Sequence, residues 1–195
     1  VKMTNKKMNL IERLNLGPVL CAEGYLFAME RRGYLQAGPF VPEVVLENPE
    51  VLSQLHREFI RAGSDVVQAF TYYGHREKLR IIGKENPLES LQKNALEIAH
   101  KARKEFPDLD LMVCGDVANT NIYDPGNKNS LKECQKMYEE QIQWAKEANV
   151  DFVVAETISW AEEMKIALKT IKDAGLIAVT NFAIPRGDKT RDGYS

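Results

Sequence analysis

Three joins in this chain are written in nearly the same way. Ala62-Gly63-Ser64-Asp65-Val66, Ala148-Asn149-Val150-Asp151-Phe152 and Ala174-Gly175-Leu176-Ile177 each end an amphipathic stretch on Gly or Asn and then enter an apolar run. Gly and Asn take the left-handed position that closes a helix at little cost. A helix stop that leads into a strand, used repeatedly, is the punctuation of βα units, and βα units dictate a parallel sheet covered by helices.

The apolar runs fit that reading. Residues 19–22, 66–71, 111–117, 152–156 and 177–182 are rich in Val, Ile and Phe and run on with little in/out alternation, as strands covered on both faces do. Helical periodicity fills the gaps. Asn48-Pro49-Glu50 is a start signal, with Asn as cap and Pro in the first turn, and Val51, Leu52, Leu55 and Phe59 then share a face. Leu88, Leu91, Ala95, Ile98 and Ala102 mark a second helix. Ser130 is expected to cap a third, and Met164, Leu168 and Ile171 mark a fourth after Trp160.

Five strands with four crossovers suit either a doubly wound sheet or part of an eight-stranded barrel. No GxGxxG or GxxxxGK[ST] follows a strand, which removes support for nucleotide phosphate binding. The polar residues favour the barrel. Glu23, Thr71, Asp116, Asn119, Glu156 and Asn181 sit at or just past strand C-termini, the catalytic face of a TIM barrel. A whole barrel needs about 250 residues, and this chain has 195.

Charge and cysteine content narrow the partners. A formal net charge of −2 supplies no basic excess for nucleic acid or an anionic membrane, and no apolar run is long enough to span a bilayer. The basic N-terminus has no apolar run behind it and does not read as a signal peptide. Three scattered cysteines, Cys21, Cys114 and Cys134, fit a reduced, cytoplasmic protein and have no metal-site spacing. His56, His75 and His100 are isolated and are expected at the surface. No Lys ends a strand, which argues against Schiff-base chemistry.

The candidate site residues follow from the strand ends. Glu23-Gly24 and Glu156 place carboxylates where buried strands surface, which suits an amine-bearing substrate or acid/base work. Tyr72 and Tyr73, with Phe40 from Gly38-Pro39-Phe40-Val41-Pro42, could surround an onium methyl group through cation–π attraction.

Taken together, the stretches LIERLNLG, YLFAMERRGYLQAGPFVPEVVLENPE, LHREFIRAGSDVVQAFTYYGHREKLR, NTNIYDPG, VDFVVAETIS and TRDGYS resemble the betaine–homocysteine S-methyltransferase branch of the homocysteine S-methyltransferase family. The resemblance implies a (β/α)8 barrel of which residues 1–195 supply the first five βα units, as the N-terminal portion of one homocysteine-binding domain. It implies methyl transfer from a betaine-like onium donor to the sulfur of homocysteine, giving methionine. It assigns homocysteine to Glu23, Gly24, Glu156, Thr71 and Asn119, and the donor to Phe40, Tyr72 and Tyr73. It also implies a zinc bound by cysteines of GxNC and GGCC motifs, neither of which occurs here, so the metal ligands are expected outside this segment of a longer polypeptide. Relatives often form dimers or tetramers, so a homo-oligomer is left open. Where many relatives have Asp-Gly-Gly, this chain has Ala22-Glu23-Gly24; where some betaine-specific relatives have Trp, it has Phe40. The competing reading is a non-catalytic half-barrel that binds a ligand or a partner chain.

Overall fold

The structure, a computed structural model, describes residues 7–35, 42–184 and 187–195. Phe40 lies outside them. Four short or medium helices come first: α1 (Leu10–Leu14), α2 (Tyr25–Arg31), α3 (Val44–Glu47) and α4 (Pro49–Arg61). They are followed by β1 (Val66–Gln68), α5 (Arg76–Ile81), α6 (Leu88–Lys104), β2 (Met112–Ala118) and α7 (Lys128–Glu147). The last elements are β3 (Phe152–Ile158), α8 (Ala161–Asp173) and β4 (Ala178–Phe182).

The strands are all parallel and lie in the order β1-β2-β3-β4, so each new strand adds beside the one before it. A doubly wound sheet reverses direction at a switch point, whereas a barrel does not. Among the described strands there is no reversal, which is the barrel order, seen here as an open sheet.

The expected first strand is present only as a single parallel bridge between Cys21 and Val66. Side chains have replaced its ladder. Asp65 accepts from the Leu20 amide at 2.8 Å, and Ser64 accepts from the Ala22 amide at 3.0 Å. The Leu20 carbonyl in turn accepts from the amides of Asp65 and Val66. The segment is held beside β1 without the repeating pattern that defines a strand.

Residue parity divides the core. Val67, Val113, Val117, Val153 and Ala155 face helices α6, α7 and α8 through Leu96, Tyr138, Ile142, Met164 and Ile171. Val66, Met112, Cys114, Phe152 and Val154 form a second apolar cluster on the opposite sheet face, with Leu10 packed against it. Both faces are covered, which is why the strands read as continuous apolar runs.

The helix joins fall where the sequence puts them: Gly63 and Gly175 have φ of 105° and 80°, and Asn149 has φ of 56°. Two caps differ. Asn48 precedes Pro49 as expected, but its side chain makes no capping hydrogen bond. Helix α7 begins at Lys128, capped by Asn127, whose side chain accepts from the Asn129 amide at 2.9 Å. Ser130 is buried inside the first turn, where its hydroxyl bonds the Asp124 carbonyl and amide.

Candidate functional site

On the inner sheet face, one further step of two residues changes the chemistry. Above Val66, Cys114 and Val154 stand Gln68, Asp116 and Glu156, each at the C-terminal part of its strand. They border a cleft of about 420 Å³ whose other walls include Glu23, Gly24, Phe70, Tyr72, Tyr73 and Thr157. The structure thus brings Glu23, Gly24, Glu156, Tyr72 and Tyr73 into one site. Among the described residues, no lysine or arginine lines it.

Gln68 organises the floor: its Nε2 donates to Glu156 Oε1 at 3.0 Å, while its Oε1 accepts from Cys21 Sγ at 3.5 Å. Asp116 has no such help. It is 3% exposed, and both carboxyl oxygens are buried with no hydrogen-bond partner. Burial, then the adjoining Glu156, push its carboxyl well above the usual range; the Gln68 amide pulls the other way, and the Glu23 charge adds a smaller upward push. Burial and the Glu23 charge likewise raise Glu156, while the neighbouring Asp116 and Gln68 side chains work against them. Two carboxyls side by side with no facing cation hold a proton between them.

The loops that complete the cleft are bent into special conformations. Gly24 takes φ 89° and ψ 23° at the entry to α2; a Cβ there would meet nothing within 4 Å, so the backbone angle is what asks for glycine. Thr157, at φ 61°, is a β-branched residue in left-handed space, beside the register shift between Glu156 and Ile158. Such a bulge re-aims neighbouring side chains, and strain of this kind is found where a site needs it.

The aromatic wall has a direction. The Tyr72 and Tyr73 ring centroids are 4.3 Å apart at 44°, and Lys78 Nζ sits 4.0 Å from the Tyr73 centroid. One ring of the pair already seats a cation. Burial raises the Tyr72 phenol, with a Thr157 hydrogen bond partly offsetting it. Behind the wall, Tyr25 stacks on Phe70 and bonds His56 Nδ1 at 2.9 Å.

Other expected site residues go elsewhere. The buried Thr71 hydroxyl donates to the Asp116 carbonyl at 2.7 Å and so fixes β2 without lining the cleft. Asn119 bonds Asn121 and lines a separate recess of about 220 Å³ with Trp160 and Arg191. Asn181 is exposed on β4. The histidines correct the sequence expectation: His56 and His75 are 0% and 1% exposed. Burial lowers them to about 3 and about 4 respectively, so they stay neutral and serve packing and capping. Sequence position puts Asp116 at a strand end and by itself assigns it no role. Its shared parity with Cys114 and Met112 is the signal that puts it on the cleft side.

The cysteines do not make a zinc set. Cys114 is fully buried with its thiol pushed up by burial, and Cys134 is buried against Thr120 with its thiol raised to about 11. A zinc ligand is a thiolate, so these positions have the opposite tendency. No group of three metal-ligating side chains occurs among the described residues. The described residues do not fit the metal.

Comparison with known proteins agrees with this architecture. The family model for homocysteine S-methyltransferase matches residues 24–195. Betaine–homocysteine S-methyltransferase 1 of Bos taurus is 37% identical over 190 residues, covering 94% of this chain and 46% of that protein. The Danio rerio protein of the same name is 38% identical over 186 residues, covering 93% of this chain and 45% of its own length. The chain therefore spans about half the length of these relatives. In structure it is similar to the metallated homocysteine methyltransferase MmuM of Escherichia coli, with a TM-score of 0.77 at 20% identity over 93% of this chain and 69% of that one. By the breadth of the family match, the chain belongs to the homocysteine S-methyltransferase family.

Proposed function

We propose that this chain forms the substrate-recognising part of a methyltransferase that moves a methyl group from an onium donor to the sulfur of homocysteine, yielding methionine. The observation that carries the reading is the cleft itself: uncompensated carboxylates on one side, and the tilted Tyr72–Tyr73 pair on the other. The homocysteine ammonium group is held by Glu156 and Glu23, with Gly24 allowing close backbone approach. The onium group leans on Tyr72 and Tyr73 through cation–π attraction, with Phe40 as a further aromatic. Glycine betaine is the donor suggested by the relatives' names. In the transfer, a carbon–sulfur bond forms as the methyl–onium bond breaks; the electron pair stays with the donor and the thiol proton goes to solvent. Metal activation of the thiol belongs to residues outside this chain.

The test is a donor screen on the full-length protein, with methionine formation followed by mass spectrometry before and after treatment with a zinc chelator. Methionine is expected from homocysteine plus an onium donor, and its loss on chelation. Glu156→Gln is expected to weaken homocysteine binding by roughly 10-fold or more, since it removes one charge from a charge-assisted hydrogen bond. Ligand binding without methionine from any donor would favour the non-catalytic half-barrel.

A further inference from the structure

Asp116 borders the cleft with no substrate contact assigned to it. Its backbone carbonyl is held by the Thr71 hydroxyl at 2.7 Å, and its strand is paired on both sides, with Asp116 level with Val154. The carboxyl therefore stays at the floor of the cleft, 3% exposed and with neither oxygen bonded. A buried polar group without a partner is costly, and a structure keeps one where something else completes it.

The groups around it come from every neighbouring element. Glu156 faces it from β3 and Glu23 from the segment before α2, while Cys114 lies on its own strand. The Gln68 amide of β1 is already bonded to Glu156. The Tyr72 phenol lies beside Glu156, and Lys78 of α5 is seated on the Tyr73 ring at the rim. Three carboxyls thus converge on a space that holds no cationic side chain among the described residues. A primary ammonium carries three N–H donors, one for each carboxyl.

We propose that Asp116 is a third ligand of the substrate's ammonium group, which takes the place of a proton shared by Asp116 and Glu156 in the empty cleft. The inference rests on reading the cleft as the amino-acid site. The exchange balances: one ammonium enters, and one proton leaves to the buffer. Binding of a substrate with a primary amine is therefore coupled to proton release and tightens as the pH rises from the acid side. A ligand without that amine has nothing to displace this proton and lacks the amine-dependent part of both effects.

Isothermal titration calorimetry on the full-length protein tests this, with L-homocysteine and its deaminated analogue 4-sulfanylbutanoate as probes in phosphate and in Tris. Expected for homocysteine is a buffer-dependent heat equivalent to release of up to one proton per site more than the analogue, since both ligands lose the thiol proton alike. Asp116→Asn should abolish that release and weaken homocysteine binding roughly 10- to 100-fold, leaving the analogue unchanged. In the unsubstituted protein, the infrared carbonyl band of a protonated carboxylic acid should vanish when homocysteine binds, a measurement that needs no variant to fold. Homocysteine binding with no more proton release than the analogue and no such band overturns the proposal while the amino-acid reading stands. Failure of homocysteine to bind at all overturns that reading first and the role of Asp116 with it.

Discussion

Two buried carboxylates, 2% and 3% exposed, are treated in opposite ways. Glu163 of α8 accepts from the Thr120 amide at 2.8 Å and the Thr120 hydroxyl at 2.7 Å. The Tyr138 hydroxyl of α7 adds a third donor at 3.2 Å. Asp116, on the strand that leads to Thr120, has no donor in hydrogen-bond geometry. Glu163 ties the loop after β2 to two helices and completes a structural knot. Asp116 faces the cleft and is left incomplete. A satisfied buried acid marks the scaffold, and an unsatisfied one marks the place where a ligand is owed.

Cutting the satisfied one should do the most damage. Glu163→Ala strands the Thr120 N–H, the Thr120 hydroxyl and the Tyr138 hydroxyl without an acceptor inside the core. Each such loss costs about 1–3 kcal/mol, so a total near 4 kcal/mol is expected after partial relaxation. Glu163→Gln keeps a carbonyl oxygen and should lose less than half of that. Urea unfolding midpoints with an unchanged slope would measure both. A Glu163→Ala chain as stable as the parent would erase the distinction drawn here.

The unsatisfied acid should show itself through pH instead. The folded chain holds Asp116 protonated above its ordinary value of 3.8, so the folded state keeps a proton that the unfolded state has lost. Stability from this group is therefore full below about pH 4 and falls as the pH rises toward the raised folded value. The decline is about 1.4 kcal/mol for each pH unit over which the proton counts differ by one. Asp116→Asn has no such proton and should flatten that part of the curve. Denaturation series from acid to neutral pH would show it; parallel curves for the two proteins would mean that Asp116 ionises normally.

These two acids also show what could be read before the fold was known. The βα joins were legible because they are local: Gly63, Asn149 and Gly175 need only a left-handed residue at a helix end. Strand-end position was legible too, and Glu23, Glu156 and Tyr72, read from it, line the cleft. Strand-end position says which rim a residue is on and not which face it takes. Thr71 and Asn119 carry the same signal as Glu156, yet they turn to the Asp116 carbonyl and to Asn121. The buried histidines were illegible for a related reason. His56 is a core residue because Tyr25, 31 positions away, brings it a hydroxyl. The first strand lost its ladder to the Ser64 and Asp65 side chains, a competition that no period in the sequence records.

A third carboxylate lies between the extremes and extends the comparison to the rim. Trp160 precedes α8 but gives it no side-chain cap; Asp192 of the TRDGYS stretch does so from 31 positions away. Its oxygens accept from the Ala161 amide at 2.9 Å and the Glu162 amide at 3.0 Å. Partial burial pushes this carboxyl up, but the two amides outweigh it and hold it below its ordinary 3.8. Here the sign is reversed from Asp116: stability from Asp192 is present above about pH 4 and is lost as the pH falls through the lowered value. Asp192→Ala should therefore cost about 1 kcal/mol at neutral pH, the worth of a helix cap, and progressively less in acid. Asp192→Asn, which keeps an acceptor, should recover most of it. Because the cap ties the end of the chain to the start of α8, beside Tyr123 and Trp160, amide exchange at Ala161 and Glu162 is the sensitive readout. Unchanged protection of those two amides in Asp192→Ala would show that the helix start is held by packing alone.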